Sequence, residues 1–195
     1  MFNSRAQEAA PFELLIAVIL MGFVMVMGMY AMRTLEVNKC KGETDQSISR
    51  LRIALEDVAR GDEFRQSNVF FNLPKCYAST ERVILASEQD SRICNRWCGG
   101  TKQSCMLLMH EYIMMDNGSP EIFATDVEPQ CVNIPQTTIF SSDGMDGCPP
   151  VSGVPGYAGV TDFTDNEIPP GIYFLQRQQS AGTAPIICVY QRERS

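Results

Sequence analysis

Hydrophobic and polar positions divide the chain into a uniform first stretch and a patterned remainder. From Leu14 to Met32, LLIAVILMGFVMVMGMYAM runs nineteen residues without a charge. At 1.5 Å per residue such a helix is roughly 28 Å long, close to the ~30 Å hydrocarbon core of a bilayer. A secretion signal has a shorter apolar core, about 7–15 residues, followed by a small-residue cleavage site. Met-Tyr-Ala-Met-Arg at the end of this run matches that site poorly, so removal after the run is not expected. Nor does a soluble domain of this size ordinarily bury a helix that is apolar on every face. The expectation is a retained, membrane-crossing helix.

Beyond it the pattern changes period. In TDQSISRLRIALEDVARG, Ile48, Leu51, Leu55 and Val58 recur at steps of three and four, which predicts an amphipathic helix. Thr44 or Asp45 is placed to cap its start, Gly61 to stop it, and Glu56 precedes Arg60 by four as a surface pair. Gly42 is the one soft point between the two helices. Short runs at 68–73, 81–86 and 137–140 read as strands. CMLLMHEYIMM, 105–115, is apolar on both alternating faces, as a central strand is, and Asp116-Asn117-Gly118 closes it with turn chemistry. Ile172–Gln176 and Ile186–Tyr190 form the arms of a terminal hairpin. Between Asp143 and Gly171 a Gly- and Pro-dense stretch predicts a long ordered loop pinned by Cys148. The fold class expected is α+β: a long, half-transmembrane N-terminal helix packed on an antiparallel β-sheet domain.

The cysteines add the compartment. All eight follow the apolar run: Cys40, Cys76, Cys94, Cys98, Cys105, Cys131, Cys148 and Cys188. An even number in a domain of this size fits disulfide staples in an oxidising environment. Asn117-Gly118-Ser119 is a glycosylation acceptor pattern, which makes Asn117 a candidate. Arg33, Lys39 and Lys41 after the run oppose this orientation by the positive-inside rule. The cysteines outweigh them, and the expected location is a single-pass membrane protein or surface filament with its C-terminal domain outside the cell.

Arg5-Ala6-Gln7, followed by Pro11-Phe12-Glu13-Leu14-Leu15-Ile16, resembles the class III signal peptide of archaeal type IV pilins. The resemblance covers about the first thirty residues. It implies a leader at 1–6 cut between Ala6 and Gln7, a hydrophobic transmembrane and assembly helix at 7–37, and an extracytoplasmic domain at 38–195. It also implies a pilin-like fold and self-association, or association with other pilin-like subunits, through Glu13, Leu14, Leu15, Ile16, Val18, Ile19 and Phe23. Glu13 has two readings: a carboxylate marking the membrane boundary, or an assembly contact satisfied by a neighbouring chain's α-amine. The leading expectation is a structural subunit or minor component of a type IV pilus-like filament. The alternative is a single-pass anchored domain that binds an extracellular ligand without assembling.

Candidate chemistry is sparse, and no enzyme is expected. There is no G-x-S-x-G elbow and no G-x-x-x-x-G-K-[ST] phosphate loop. His110, the single histidine, lies in the apolar run of residues 105–115, where a satisfied core residue is expected. Cys94-x3-Cys98-x6-Cys105 around Trp97 departs from zinc-knuckle spacing and reads as a disulfide knot in a Gly-rich loop. Met21, Met25, Met27, Met29 and Met32 spread around the helix and read as packing residues rather than copper ligands. Asp143 and Asp146, or Asp162, Asp165 and Glu167, offer oxygen ligands for Ca2+ without EF-hand spacing, so no cofactor is assigned. A net charge of −7 excludes an electrostatic footprint for nucleic acid and leaves the membrane and other subunits as partners.

Overall fold

The computed structural model describes residues 5–75, 80–116, 119–125, 127–142, 145–150, 154, 156–160, 163, 167–178 and 184–192, with backbone alone at 5–11, 114–116, 119–120 and 124. The chain divides into two compact units, Met1–Cys40 and Lys41–Ser195.

A single helix, α1, runs from Arg5 to Arg60. Gly42 therefore neither breaks nor ends it, and Thr44 and Asp45 are not its caps. Thr44 is buried instead, and the Asp45 carboxylate accepts from Gln130 Nε2 at 2.7 Å. The helix ends where the periodicity places the end, but by other means. Gly61 does not take the left-handed conformation usual after a helix. Its lack of a side chain matters for space, since a Cβ there would lie 2.5 Å from Arg65 Cγ and 2.9 Å from the Asp57 carbonyl oxygen. The free carbonyls of the last turn are met by Arg177, which donates from Nη1 to the Ala59 and Gly61 oxygens at 2.6 and 2.7 Å. Glu56 and Arg60 do not pair with each other. Glu56 accepts from the Asn133 amide and Arg60 donates to the Asn133 carbonyl, so both hold one loop residue against the helix.

Among the described residues nine strands follow, β1 Gln66–Phe71, β2 Thr80–Glu88, β3 Cys105–Asp116, β4 Ser119–Ala124, β5 Gln130–Val132, β6 Ile139–Ser141, β7 Tyr157–Gly159, β8 Gly171–Gln178 and β9 Ile186–Arg192. They make two sheets. One has the order β1-β8-β9-β6, with β7 also on β9; the other has the order β2-β3-β4, with β5 also on β3. Every pairing is antiparallel except β6 with β9. The terminal hairpin, β8 and β9, and the central strand, β3, stand as the pattern predicts. Two strands are displaced by competing hydrogen bonds. β1 stops at Phe71 because the Asn72 amide donates to Ser47 Oγ at 3.0 Å. β6 begins at Ile139 because Thr138 turns back onto the Pro135 carbonyl.

Ile48, Leu51, Leu55 and Val58 of α1 enter one core with Val69 and Phe71 of β1, Leu175 of β8, Val189 of β9, and Val83 and Leu108 from the other sheet. The opposite face of β3 carries Cys105, Leu107 and Met109, and it is covered by a helix the periodicity did not reveal, α2, Ser91–Cys98. Asp90 caps α2 through the Arg92 amide at 2.7 Å. The segment read as a Gly-rich loop is thus a helix up to its glycines. Two faces, two covers: this explains why β3 is apolar on both.

Disulfides join Cys94 to Cys105, Cys98 to Cys131 and Cys148 to Cys188. Cys40 is disulfide-bonded as well, and Cys76 lies outside the described residues. Closing loops of 11, 33 and 40 residues limits the unfolded chain. In the chain-entropy account each link stabilises by about 3–4 kcal/mol. The long loop is indeed tied down by Cys148, and the Tyr190 hydroxyl donates to the Pro149 carbonyl beside it. It also contains β7 and a 3-10 turn at Met145–Gly147.

The latch at the end of α1 generates a prediction. Arg177→Met keeps an unbranched apolar stem and removes both donated bonds. Urea unfolding of the variant should show a loss of roughly 1.5–3 kcal/mol, the range for hydrogen bonds to charged groups.

Candidate functional site

In residues 12–37 of the first unit, the large apolar side chains of α1 are exposed. Its large apolar side chains from Phe12 to Val37 are between 42 % (Ile16) and 71 % (Tyr30) exposed. Leu14, Leu15, Ile16, Val18, Ile19, Phe23 and the five methionines all fall in this set, and Glu13 is exposed beside them. In the second unit the same helix buries Ile48 and Leu51 to 1 % or less. Isolated exposed apolar residues are ordinary, but a contiguous surface of this extent marks a lipid or protein contact. By length and composition the helix is sufficient to cross a membrane. Its polar group Thr34 is satisfied internally, the hydroxyl donating to the Tyr30 carbonyl at 2.9 Å. That bond removes the cost of placing a hydroxyl in an apolar medium.

Ala6 and Gln7 belong to the first turns of α1, and their side chains lie outside the described set. Asn117 also lies outside the described residues, between β3 and β4, which pair Asp116 with Ser119. Of the candidate calcium ligands, Asp143, Asp162 and Asp165 are outside the described residues. Asp146 sits in the 3-10 turn at φ 48°, and Glu167 makes a bridge to Ile84 on β2. Among the described residues no group of three or more His, Cys, Asp or Glu is placed to hold a metal ion.

His110 is a core residue, as its position in the apolar run implies. Its Nδ1 is 2.9 Å from Thr125 Oγ1, and its Nε2 is 3.1 Å from Glu81 Oε2. Both side chains of the His110–Glu81 pair are almost wholly buried. No motif announced Glu81. It reaches His110 because β2 and β3 pair Val83 with His110, which puts Glu81 two residues along on the same face. The sequence reading also missed Gln130, whose amide bridges Asp45 and Ser49 of α1 at 2.7 and 2.9 Å. These groups fasten the domain together.

Burial holds the His110 imidazole below its ordinary pKa, with Glu81 pulling in the other direction. Between the folded and unfolded values the unfolded chain binds more protons. Stability is therefore retained above the unfolded value of about 6.5 and is lost as pH falls below it. Urea unfolding of the wild type should give a lower free energy at pH 5 than at pH 7, and His110→Gln should flatten that difference. His110→Ala, which opens a cavity in the core and removes the imidazole that Glu81 meets, should cost about 3 kcal/mol at pH 7.

Comparison of the chain with protein-family models, with curated proteins and with solved structures finds no match to any of them.

Proposed function

We propose that this is a pilin-like surface protein, inserted through residues 12–34 and presenting its disulfide-linked β-domain outside the cell. The observation that carries the reading is α1 itself. One helix is exposed from Phe12 to Val37 and uncharged from Leu14 to Met32, and over its last four turns it contributes to the core of the domain. A flexible link between an anchor and an independent domain would not need that continuity. The Arg5-Ala6-Gln7 leader resemblance supports processing between Ala6 and Gln7, after which the apolar helix stays with the mature chain.

The role is structural. Side-by-side packing of the apolar segments replaces lipid contacts with protein contacts, and unbranched methionines at five positions adapt to such packing. Glu13 sits at the start of the uncharged run, where a carboxylate has access to the headgroup region or to a neighbour's new α-amine. Disulfides suit a domain that works in an oxidising exterior.

Edman sequencing of protein recovered from membranes and from sheared surface material tests the reading. A mature chain beginning at Gln7 and present in the sheared, high-molecular-weight fraction is the expected outcome. A chain that keeps Met1 and stays wholly in the membrane fraction would replace it with a non-assembling anchored domain.

A further inference from the structure

Strand β1 is the outer strand of the five-stranded sheet, paired only with β8. Just before it begins, Arg177 of β8 accepts from the Phe64 amide and donates to the Arg65 carbonyl, at 3.1 and 2.8 Å. Hydrogen-bonded pairs alternate along an antiparallel ladder, so Ser67, Val69 and Phe71 turn their backbone groups to β8. The amides and carbonyls of Gln66, Asn68 and Phe70 therefore point away from the sheet, and among the described residues nothing bonds to them. The next outward amide, that of Asn72, is closed by Ser47 Oγ at 3.0 Å. Such an edge is ordinarily defended by charge, proline or a covering segment. β1 reads QSNVFF, with neither charge nor proline.

Surface depressions flank this edge on both faces of the sheet. On the helix side, one of about 390 Å³ lies between β1 and α1, with Arg50, Ile53 and Ala54 among its walls. On the other side, one of about 250 Å³ is lined by Phe70, Pro170, Ile172 and Arg192. Phe70 borders both and is 59 % exposed, and Ile53 is 58 % exposed. A strand laid along the edge sends alternate side chains to the two faces. Those opposite Asn68 and Phe70 fall on the Phe70–Ile172 side, and the one between them falls over Ile53 and Arg50. Charge selects what that one is. Asp57, which also lines the helix-side depression, is already held by its two-bond contact with Arg65. Arg50 and Arg192 are exposed and have no ion pair among the described residues. The edge thus offers unmatched positive charge beside apolar surface. Antiparallel addition of a second copy's β1 would point its α1 the opposite way, against anchoring in one membrane, and this chain's β4 is interrupted by Pro120.

We infer that the β1 edge is a docking site for an extended segment of a different protein, added as a further strand, with an aspartate or glutamate facing Arg50 and apolar side chains facing Phe70 and Ile172. Backbone bonds to Gln66, Asn68 and Phe70 supply affinity for an extended chain, and the two depressions supply the preference among sequences. The unmatched arginines favour an acidic segment and speed its arrival. Every residue of the site belongs to the Lys41–Ser195 unit, so the inference does not rest on the filament reading.

Selection from a phage-displayed library of random short peptides, on the immobilised full chain in nonionic detergent, tests the inference. The expected binders alternate apolar and polar residues, carry an acid and have no central proline. A labelled synthetic copy of one binder is then titrated by fluorescence anisotropy, with thermal unfolding checking that each variant keeps its fold. Asn68→Pro removes an outward amide and spares the pairing with β8, a place where an edge strand accepts proline. It should weaken binding roughly tenfold. Arg50→Glu should weaken it about fivefold, and added salt should narrow that difference. N-methylation of alternate peptide amides, which leaves the protein untouched, should abolish binding in one phase and spare it in the other. A library without binders overturns the inference. So do binders that Asn68→Pro retains in full, or that tolerate N-methylation in both phases. Binders that lack an acid and ignore Arg50→Glu overturn the choice of an acidic segment. A wild-type dimer that Asn68→Pro dissociates gives the edge to a second copy and overturns the inference too.

Discussion

Ile48, Leu51, Leu55 and Val58 enter a core to which both sheets contribute, and none of the four is more than 1 % exposed. Each sheet has an apolar face that must be covered, and one helical stripe serves both. The same geometry sets a demand on the polar groups around it, because a helix held only by greasy contacts is free to slide and rotate. Arg177 at its final carbonyls, Asn133 held by Glu56 and Arg60, and Gln130 on Asp45 and Ser49 remove that freedom. Hydrophobic burial supplies the energy, and these directional bonds supply the register. Thirty residues earlier the same helix has exposed apolar side chains on every side.

Strand β3 is the second organising element. Its inner side joins the core through Met106 and Leu108, and its outer side is closed by α2 and two disulfides. Covering the outer side with an eight-residue helix alone would be weak, since short helices owe their stability to packing rather than propensity. Cys94 and Cys98 supply what the helix lacks. Standing one turn apart, they fasten it to β3 at Cys105 and to β5 at Cys131.

Which features were readable from the residues follows from how local their causes are. The apolar run, the stripe from Ile48 to Val58, the doubly apolar β3 and the last hairpin depend on periodicity within a short window, and all four appear where the pattern puts them. The caps at Thr44 and Asp45 failed because a helix already under way needs no start signal. The function assigned to Gly61 failed for a related reason: the approach of Arg65, four residues on, sets its requirement, not its own φ. α2 was concealed by its cysteines. A spacing of three intervening residues was weighed as metal chemistry, when it is also one helical turn. Glu81 and Gln130 are the opposite case. Their roles rest on strand register and on contacts more than eighty residues apart for Gln130, and no window of sequence contains them.

The placing of the disulfides has a consequence for a domain that meets proteases. A cut anywhere between Cys98 and Cys131 leaves the two pieces covalently joined, and the same holds between Cys148 and Cys188. Residues 117–118, between β3 and β4, and the Gly- and Pro-dense residues 149–170 before β8 both fall inside these spans. A nicked molecule would thus migrate as an intact one until reductant is added, with its sheets still assembled. The stretch between Cys131 and Cys148 separates the two loops, and Asn133, whose amide and carbonyl are both held by α1, stands at its beginning.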